Sequence, residues 1–203
     1  MTDPSTPLPM IVVTGYLGAG KTTFINKLLS SGHGLRVTVL VNDFGAISLD
    51  EKLILNQEGD VIALANGCMC CQIGGDLYRT IDRILEDRAS IDYLVVETSG
   101  VADPAKIANI AAAEPELKMG GILTLIDAVN FNTLMGDQIL TDTLKRQISV
   151  ANLLLLTKAE MVNREKLDTL NISLLELGNK VNILKNSDEA LRRILDLDEE
   201  RHP

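Results

Sequence analysis

The sequence has no tryptophan, three phenylalanines, three tyrosines and two histidines. Because aromatic residues make up only 3% of the chain, its core must be built from leucine, isoleucine, valine and alanine. Hydrophobic residues account for 46% and charged residues for 23% of the 203 residues, a balance typical of a globular protein with one sizeable core. We therefore expect a single domain over residues 1–203, with flexible segments at residues 1–9 and 198–203.

Long apolar segments and a secretory signal are also lacking. The longest apolar run, Val150–Leu156, is interrupted by Asn152 and is far too short to span a bilayer. Met1–Pro9 is polar and proline-rich, without the basic start and apolar centre of a signal peptide. The net charge of −9 argues against nucleic acid or an anionic membrane as a partner. A phosphate ligand remains compatible, because backbone N–H groups can bind it locally.

The three cysteines all lie in one short segment, at Cys68, Cys70 and Cys71. An odd number of cysteines so close together cannot form a disulfide framework, so we expect a reducing compartment, the cytoplasm. Three thiolates suit a soft or borderline metal such as Zn²⁺ or Cu⁺. The alternatives are buried free cysteines or a strained disulfide between the adjacent pair. With no fourth cysteine, the remaining metal ligand must be Asp43 or another carboxylate, water, a second chain or a client.

Short apolar runs alternate with helical patterns along the chain. Seven runs predict buried strands: Met10–Val13, Val37–Val41, Val61–Leu64, Tyr93–Val96, Ile122–Ile126, Leu153–Leu156 and Val181–Leu184. Three segments with helical spacing of leucine and isoleucine lie between them: Lys21–Ser31, Asp76–Arg88 and Asn163–Leu177. The alternation predicts an α/β fold with a doubly wound, mostly parallel sheet. Ligands bind such sheets at the carboxyl ends of the strands, where the polar motifs of this chain fall.

The segment Gly15–Thr22 fits the phosphate-binding pattern G-x-x-x-x-G-K-[ST] at every fixed position. It follows an apolar strand and opens a helix, which is the context that the pattern requires. Its backbone N–H groups would point at phosphate oxygens, while Lys21 would reach the β- and γ-phosphates. The Thr22 hydroxyl would bind Mg²⁺. The alternative is a glycine-rich turn that precedes a lysine by chance.

Two further polar segments follow predicted strands. Glu97 ends the fourth strand and could hold Mg²⁺ or polarise the attacking water, and Gly100 could give a backbone N–H to the γ-phosphate. Asp43 follows the second strand and could join the magnesium shell or the cysteine metal site. Taken alone, an acidic residue at a strand end is usually just solvated, and Asp43 could equally form an Asx turn. We take Lys21, Glu97 and Asp43 as the candidate catalytic residues.

The motifs GYLGAGKTT, NDFG, NGCMCC, ETSGVADP and LIDA, in that order, resemble those of the CobW-type GTPases. These belong to a group of metal-centre assembly GTPases that includes nickel-insertion proteins for hydrogenase and urease. The resemblance covers most of Met10–Lys158 and implies a P-loop NTPase fold of the SIMIBI type. It makes Glu97 the Walker B acid, and Cys68, Cys70 and Cys71 the ligands of a delivered Zn²⁺, Co²⁺ or similar ion. The residues implied in phosphate binding are Gly15, Gly18, Ala19, Gly20, Lys21, Thr22 and Thr23.

The chain departs from the family pattern in three places. Thr157, Lys158 and Glu160 stand where an [NS]-K-x-D guanine motif is expected. Lys158 can still lie along the base, but Glu160 is one methylene longer than aspartate. Ala46 stands where the family commonly has glutamate. Many CobW proteins also continue into a second domain, which the present sequence does not carry. We therefore expect the GTPase domain alone, with client docking through another protein.

The predicted function is a GTPase that couples its nucleotide state to the delivery of a transition metal, zinc or cobalt, to a metalloprotein client or metal-insertion partner. Members of the wider group often work as dimers, so a homodimer is also an expectation. One alternative is a P-loop ATPase or kinase in which the cysteine cluster is merely structural. Another is a binding protein with little turnover that responds to metal and nucleotide.

Overall fold

The structure, a computed structural model, describes residues 6–41, 61–63, 75–178 and 181–195. Within these residues the strands are β1 (Leu8–Thr14), β2 (Val37–Val41), β3 (Val61–Ala63), β4 (Tyr93–Glu97), β5 (Leu117–Asp127), β6 (Leu153–Thr157) and β7 (Asn182–Leu184). The helices are α1 (Lys21–Ser30), α2 (Gly75–Glu86), α3 (Pro104–Ala113), α4 (Phe131–Met135), α5 (Leu140–Ser149), α6 (Arg164–Leu177) and α7 (Ser187–Leu195). None of these helices is long and apolar enough to cross a membrane.

The strands form one sheet in the order β3-β2-β4-β1-β5-β6-β7, and every neighbouring pair is parallel. The predicted parallel α/β architecture is therefore confirmed. β1 lies at the centre, between β4 and β5. The chain that leaves β1 thus emerges beside the carboxyl ends of β4 and β5, which is where an open parallel sheet binds its ligands.

Both faces of the sheet are covered, which explains why its strands are apolar without alternation. Ile11 and Val13 of β1 face a cluster that includes buried side chains of α1 and α7. Met10 and Val12 face the opposite cluster, with side chains of α2 and α3. Helices α4, α5 and α6 complete a third cluster against β5 and β6. All seven residues of β1 are buried, so the strand that leads to the candidate phosphate loop is fixed by packing on both sides.

All seven predicted strands are present, but two begin earlier than their apolar runs indicate. β5 begins at Leu117, and β1 begins at Leu8, which pairs with Leu117 and is fully buried. The expectation of a flexible segment over residues 1–9 is therefore wrong for residues 8 and 9. These two residues join the sheet because they pair with the first residues of β5. The apolar run of β1 alone could not indicate that partner.

The three predicted helices are confirmed as α1, α2 and α6, with small shifts at their ends. Asn163, predicted as the first residue of α6, is its N-cap, and its side chain accepts a hydrogen bond from the Lys166 N–H. Helices α3, α4, α5 and α7 were not predicted. The start of α3 carries a sequence signal, because Asp103 caps the helix and Pro104 occupies its first position.

Candidate nucleotide-binding site

The loop between β1 and α1 takes a conformation that depends on its glycines. Gly15 has a φ of +143°, and a Cβ placed on it would lie 2.5 Å from the carbonyl oxygen of Leu125 in β5. Any other residue there would clash with backbone, so the loop can leave β1 this closely only with glycine. Helix α1 then begins after Gly20, which has no side chain to cap the first N–H groups. An uncapped helix N-terminus of this kind is suited to binding an anion.

Lys21 places a positive charge inside this loop. Its side chain is only 5% exposed, and its Nζ donates a hydrogen bond to the carbonyl oxygen of Gly15 at 2.9 Å. The bond joins the start of α1 to the start of the loop, so the loop curls around the ammonium group. The next residues of α1 are the half-buried Thr22 and the exposed Thr23. The arrangement can neutralise the charge of bound phosphates.

Glu97 lies at the carboxyl end of β4, directly beside β1. It pairs in register with Val13 of β1 on one side and with Val41 of β2 on the other, and it is 1% exposed. The predicted meeting of the first and fourth strand motifs at one edge is therefore present. A carboxylate held at this level offers the hard oxygen ligands that Mg²⁺ prefers, and the hydroxyl of Thr22 offers another.

The segment that follows β4, residues 98–103 (the β4 loop), packs against the phosphate loop. A Cβ placed on Gly100 would lie 2.6 Å from the backbone nitrogen of Leu17 and 2.9 Å from its Cγ. The two loops therefore approach so closely that only glycine fits. Thr98 begins the β4 loop, and its hydroxyl donates a hydrogen bond to the hydroxyl of Thr14 at 2.8 Å. Gly100 thus lies against the phosphate loop, and its contact with a γ-phosphate stays a prediction.

The opposite side of the phosphate loop is held by the carboxyl end of β6. Thr157 donates a hydrogen bond from Oγ1 to the carbonyl oxygen of Ala19 at 2.9 Å. Lys158 donates from Nζ to the carbonyl oxygen of Gly18 at 3.0 Å. Lys158 has a φ of 55°, the one positive φ outside glycine in the described ranges. Of the predicted base-reading residues, Thr157 and Lys158 contact the phosphate loop, while Glu160 lies exposed on the 3₁₀ turn that follows.

Asp127, at the end of β5, is a site residue that sequence reasoning missed. Its Oδ2 accepts a hydrogen bond from Lys158 Nζ at 2.6 Å and another from Asn130 Nδ2 at 2.8 Å. Its Oδ1 accepts from the backbone N–H groups of Val129 and Asn130. Burial alone would raise the pKa of this carboxyl, but the donated hydrogen bonds outweigh burial and hold the pKa below its ordinary value. The available signal was an acidic residue at the end of a strand, in the LIDA motif.

Four predicted site residues, Asp43, Cys68, Cys70 and Cys71, lie outside the described residues. The strands that precede them along the chain, β2 and β3, end at the same edge of the sheet as β4. Within the described ranges, no group of three or more histidine, cysteine or acidic side chains could hold a metal ion. The predicted cysteine site therefore stays a prediction.

Comparison with known proteins shows what the chain as a whole is similar to. Residues 9–185 match the family model described as CobW/HypB/UreG, nucleotide-binding domain. The chain is 31% identical over 205 residues to zinc-regulated GTPase metalloprotein activator 1 of Schizosaccharomyces pombe, covering 95% of this chain and 49% of that protein. It is 33% identical over 170 residues to the zinc chaperone YjiA of Escherichia coli, covering 79% of this chain and 52% of that protein. The chain thus spans about half the length of these curated relatives.

Solved structures share the fold. The Zn(II)-bound YjiA GTPase from E. coli superposes with a TM-score of 0.65 at 25% identity, covering 89% of this chain and 57% of the other. HypB from Helicobacter pylori, in complex with nickel, gives a TM-score of 0.63 at 16% identity, covering 96% of this chain and 86% of the other. FtsY from Mycoplasma mycoides gives a TM-score of 0.60 at 17% identity, covering 94% of this chain and 68% of the other. The fold is that of the SIMIBI-type P-loop NTPases, as predicted.

Proposed function

The chain belongs to the CobW/HypB/UreG family of nucleotide-binding domains, and from that premise we propose that it binds and hydrolyses GTP with Mg²⁺ to control the delivery of a transition metal to a client protein. The proposal of nucleotide binding rests on one observation, namely that contacts from β4, β6 and α1 meet at the phosphate loop. That loop encloses the ammonium group of Lys21, it is packed on one side by Gly100, and it is tied on the other by Lys158. Relatives named zinc chaperones support the metal part.

In this proposal the phosphates lie over the start of α1. The residues that bind them are Gly15, Gly18, Ala19, Gly20, Lys21, Thr22 and Thr23. Thr22 and Glu97 hold Mg²⁺, which neutralises charge on the β- and γ-phosphates when it is bound. Lys21 shares that task from inside the loop. Gly100 donates its N–H to the γ-phosphate, and Asp43 joins either the magnesium shell or the transferred-metal site.

We assign the guanine to the side of the phosphate loop where β6 ends. Lys158 lies along the base, because its Nζ is held by Gly18 and Asp127 and its aliphatic stem is left to pack on the ring. Glu160 is the carboxylate for the guanine N1 and N2 donors. Its extra methylene relative to aspartate gives a weaker preference for GTP over ATP than a strict guanine motif would.

The transferred metal is assigned to Cys68, Cys70 and Cys71, with zinc as the first candidate and cobalt as the second. Three thiolates without a fourth cysteine leave one ligand position to be exchanged with a client or a metal-insertion partner. Relatives named zinc chaperones support zinc. The clustered free thiols favour the reducing environment of the cytoplasm.

A homodimer across the nucleotide edge is part of the proposal. Leu17 of the phosphate loop and Val101 of the β4 loop are 57% and 51% exposed, although both are large apolar side chains. They belong to the two loops that pack together through Gly100. A second copy docked there would cover both side chains and would respond to the nucleotide.

The experiment that tests the nucleotide part is steady-state hydrolysis of GTP and of ATP, with and without Zn²⁺. We expect turnover of GTP in preference to ATP, and Lys21→Ala should remove triphosphate binding because the charge inside the loop is lost. Lys27→Ala is the matched control, since Lys27 lies on the same helix but contacts Ser187 and Asp188 of α7 instead. Tight binding of a non-hydrolysable GTP analogue by Lys21→Ala would overturn the assignment.

The metal part is tested by elemental analysis after reconstitution with Zn²⁺ under reducing conditions. We expect about one Zn²⁺ per chain, or one per dimer with shared ligands, bound with release of protons. The combined substitution of Cys70→Ser and Cys71→Ser should abolish binding. Absence of bound metal in the unsubstituted protein would contradict the cysteine site and leave the nucleotide site untouched.

A further inference from the structure

The two ends of the β4 loop, defined above as residues 98–103, are fixed by their own contacts. At its start the Thr98 hydroxyl donates to Thr14 Oγ1, in the strand that leads into the phosphate loop. At its end Asp103 Oδ1 accepts a hydrogen bond from the Ala105 N–H and caps α3. The part between these ends is the part that contacts the phosphate loop. A backbone turn shapes this middle part, since the Ala102 N–H donates a hydrogen bond to the Ser99 carbonyl oxygen at 3.1 Å.

Gln147 of α5 supplies a contact to the middle of the loop. Its side-chain Nε2 donates hydrogen bonds to the carbonyl oxygen of Gly100 at 3.2 Å and to that of Ala102 at 3.3 Å. The residue is 1% exposed, so water does not compete readily for these bonds. In the part of the chain that the structure describes, its Oε1 accepts no hydrogen bond. The polar contacts of this amide are therefore those that it makes with the β4 loop.

The helix turn that carries Gln147 is itself anchored to the sheet. Thr124 of β5 donates a hydrogen bond from Oγ1 to the backbone carbonyl oxygen of Gln147 at 2.9 Å. Thr124 is fully buried and pairs in register with Thr14 of β1. Gln147 is thus held, through Thr124, next to Thr14 of β1, which is also the residue that accepts the hydrogen bond from the Thr98 hydroxyl. The start and the middle of the β4 loop are positioned against one rigid strand.

We propose that Gln147 is a positioning residue that holds Gly100 against the phosphate loop and so determines how strongly the site distinguishes a nucleoside triphosphate from a diphosphate. The inference rests on the proposed function, because it assigns Gly100 to the γ-phosphate. One amide group with two N–H donors orients two carbonyls of the same short loop, so both peptide groups are fixed together. A diphosphate does not extend to the γ-phosphate position, so its binding does not depend on this support.

A purely structural role for Gln147 makes a different prediction. If the side chain only fills space beneath the loop, an isosteric residue without donors should bind both nucleotides as the original does. Gln147→Met has similar length and volume but no N–H donor. Gln147→Glu keeps the shape of the side chain but offers at most one O–H donor in place of two N–H donors, because burial among carbonyl oxygens favours the protonated carboxyl. The two variants therefore separate the donor function from the volume.

The test is calorimetric titration of each variant with a non-hydrolysable GTP analogue and with GDP, together with thermal unfolding in the absence of nucleotide. For Gln147→Met we expect roughly tenfold weaker analogue binding, with GDP binding changed by less than about twofold, since two neutral hydrogen bonds are lost. The loss for Gln147→Glu should have the same selectivity for the analogue and be smaller, because one donor is retained. Arg146→Met is the matched control, because its exposed side chain is the next one along the same helix and contacts Thr143 within that helix.

An unchanged ratio of analogue to GDP affinity in either folded variant would overturn the proposal. Equal losses for both nucleotides, or loss of cooperative unfolding in both variants, would also overturn it, because each would assign Gln147 to the core and not to the loop. These results are distinct from a failure of the proposed function. That failure would show as an unsubstituted protein that binds neither nucleotide or does not hydrolyse GTP.

Discussion

The phosphate loop is held from two sides, and the two sides use different chemistry. On the β4 side the contacts are neutral: Gly100 packs on Leu17, and Gln147 donates to backbone carbonyls. On the β6 side the contacts include a charged pair, in which Lys158 joins Gly18 to the buried Asp127. Weak neutral contacts can be exchanged at little cost when a ligand group arrives, whereas a buried and fully hydrogen-bonded carboxylate resists rearrangement. We therefore expect the β4 side to respond to the γ-phosphate and the β6 side to stay fixed while it reads the base.

The largest expected effect comes from Gly100→Ala, which breaks the β4 side. The added Cβ would meet the backbone nitrogen of Leu17 at 2.6 Å, and backbone cannot move aside as a flexible side chain can. Displacement of the β4 loop should lower kcat for GTP by roughly 100-fold, because a misplacement of about 1 Å in a site has a cost of that order. Steady-state hydrolysis measures this.

Gly136→Ala serves as its control, because that glycine follows α4 with a φ of −79° and the nearest atom to its added Cβ lies at 3.4 Å. Turnover of Gly100→Ala within about twofold of the unsubstituted protein would contradict the close packing of the two loops.

A smaller effect, of a different kind, is expected from Lys158→Met on the β6 side. Methionine keeps much of the apolar stem but cannot donate to Gly18 or Asp127. The affinities for GDP and for a GTP analogue should fall together, by roughly tenfold, because the base and its loop are common to both ligands. Equilibrium titration with GDP and with the analogue gives the ratio of the two affinities. A selective loss of the analogue would mean that the two sides of the loop do not have separate roles.

The ion pair between Lys158 and Asp127 also predicts that the free energy of unfolding depends on pH. The pKa of Asp127 is held below its ordinary value in the folded protein, so the carboxylate stabilises the fold above its unfolded pKa of about 3.9. That contribution is lost as the pH falls through the lower, folded pKa. In urea unfolding, Asp127→Asn should be less stable than the unsubstituted protein at neutral pH, and the difference should disappear in acid. If the difference in unfolding free energy between the two proteins is constant with pH, the charge of Asp127 does not contribute to stability.

The smallest expected effect is on base selectivity. Glu160→Asp should raise the preference for GTP over ATP by a few-fold, because the shorter carboxylate fits the spacing of a guanine motif and adenine leaves it unpaired. Competition of ATP against bound GTP measures the preference. If Glu160→Ala leaves the competition unchanged, this exposed residue does not read the base.

The parts of the fold that could be predicted are those that show continuous burial. The inner strands, such as β1 and β4, are buried along their whole length and apolar up to their last residue because helices cover both faces, and that pattern is visible in the sequence. The polar motifs could be placed at one edge because parallel strands end together. Helices α4 and α5 were missed because they are short or carry mixed polar side chains, and tertiary packing determines their position.

The candidate site shows the same division. Gly15 and Lys21 were predicted because the phosphate-binding pattern fixes residue types at set spacing. Gln147 and Asp127 were not, because their roles depend on contacts with residues 47 and 31 positions away in sequence. An ordinary glutamine on a helix carries no signal of the loop that it supports. Long-range side-chain contacts of this kind become visible only when the sheet order is known.

The measurement that tests the central claim most directly is the zinc affinity in the two nucleotide states. It is a competition titration with a coloured zinc chelator, run once with GDP and once with a non-hydrolysable GTP analogue. If nucleotide state controls metal delivery, the two zinc affinities should differ by at least roughly fivefold, and zinc must change the nucleotide affinity by the same factor. Identical zinc affinities in the two states would contradict the account, because the protein would then hold two unrelated sites.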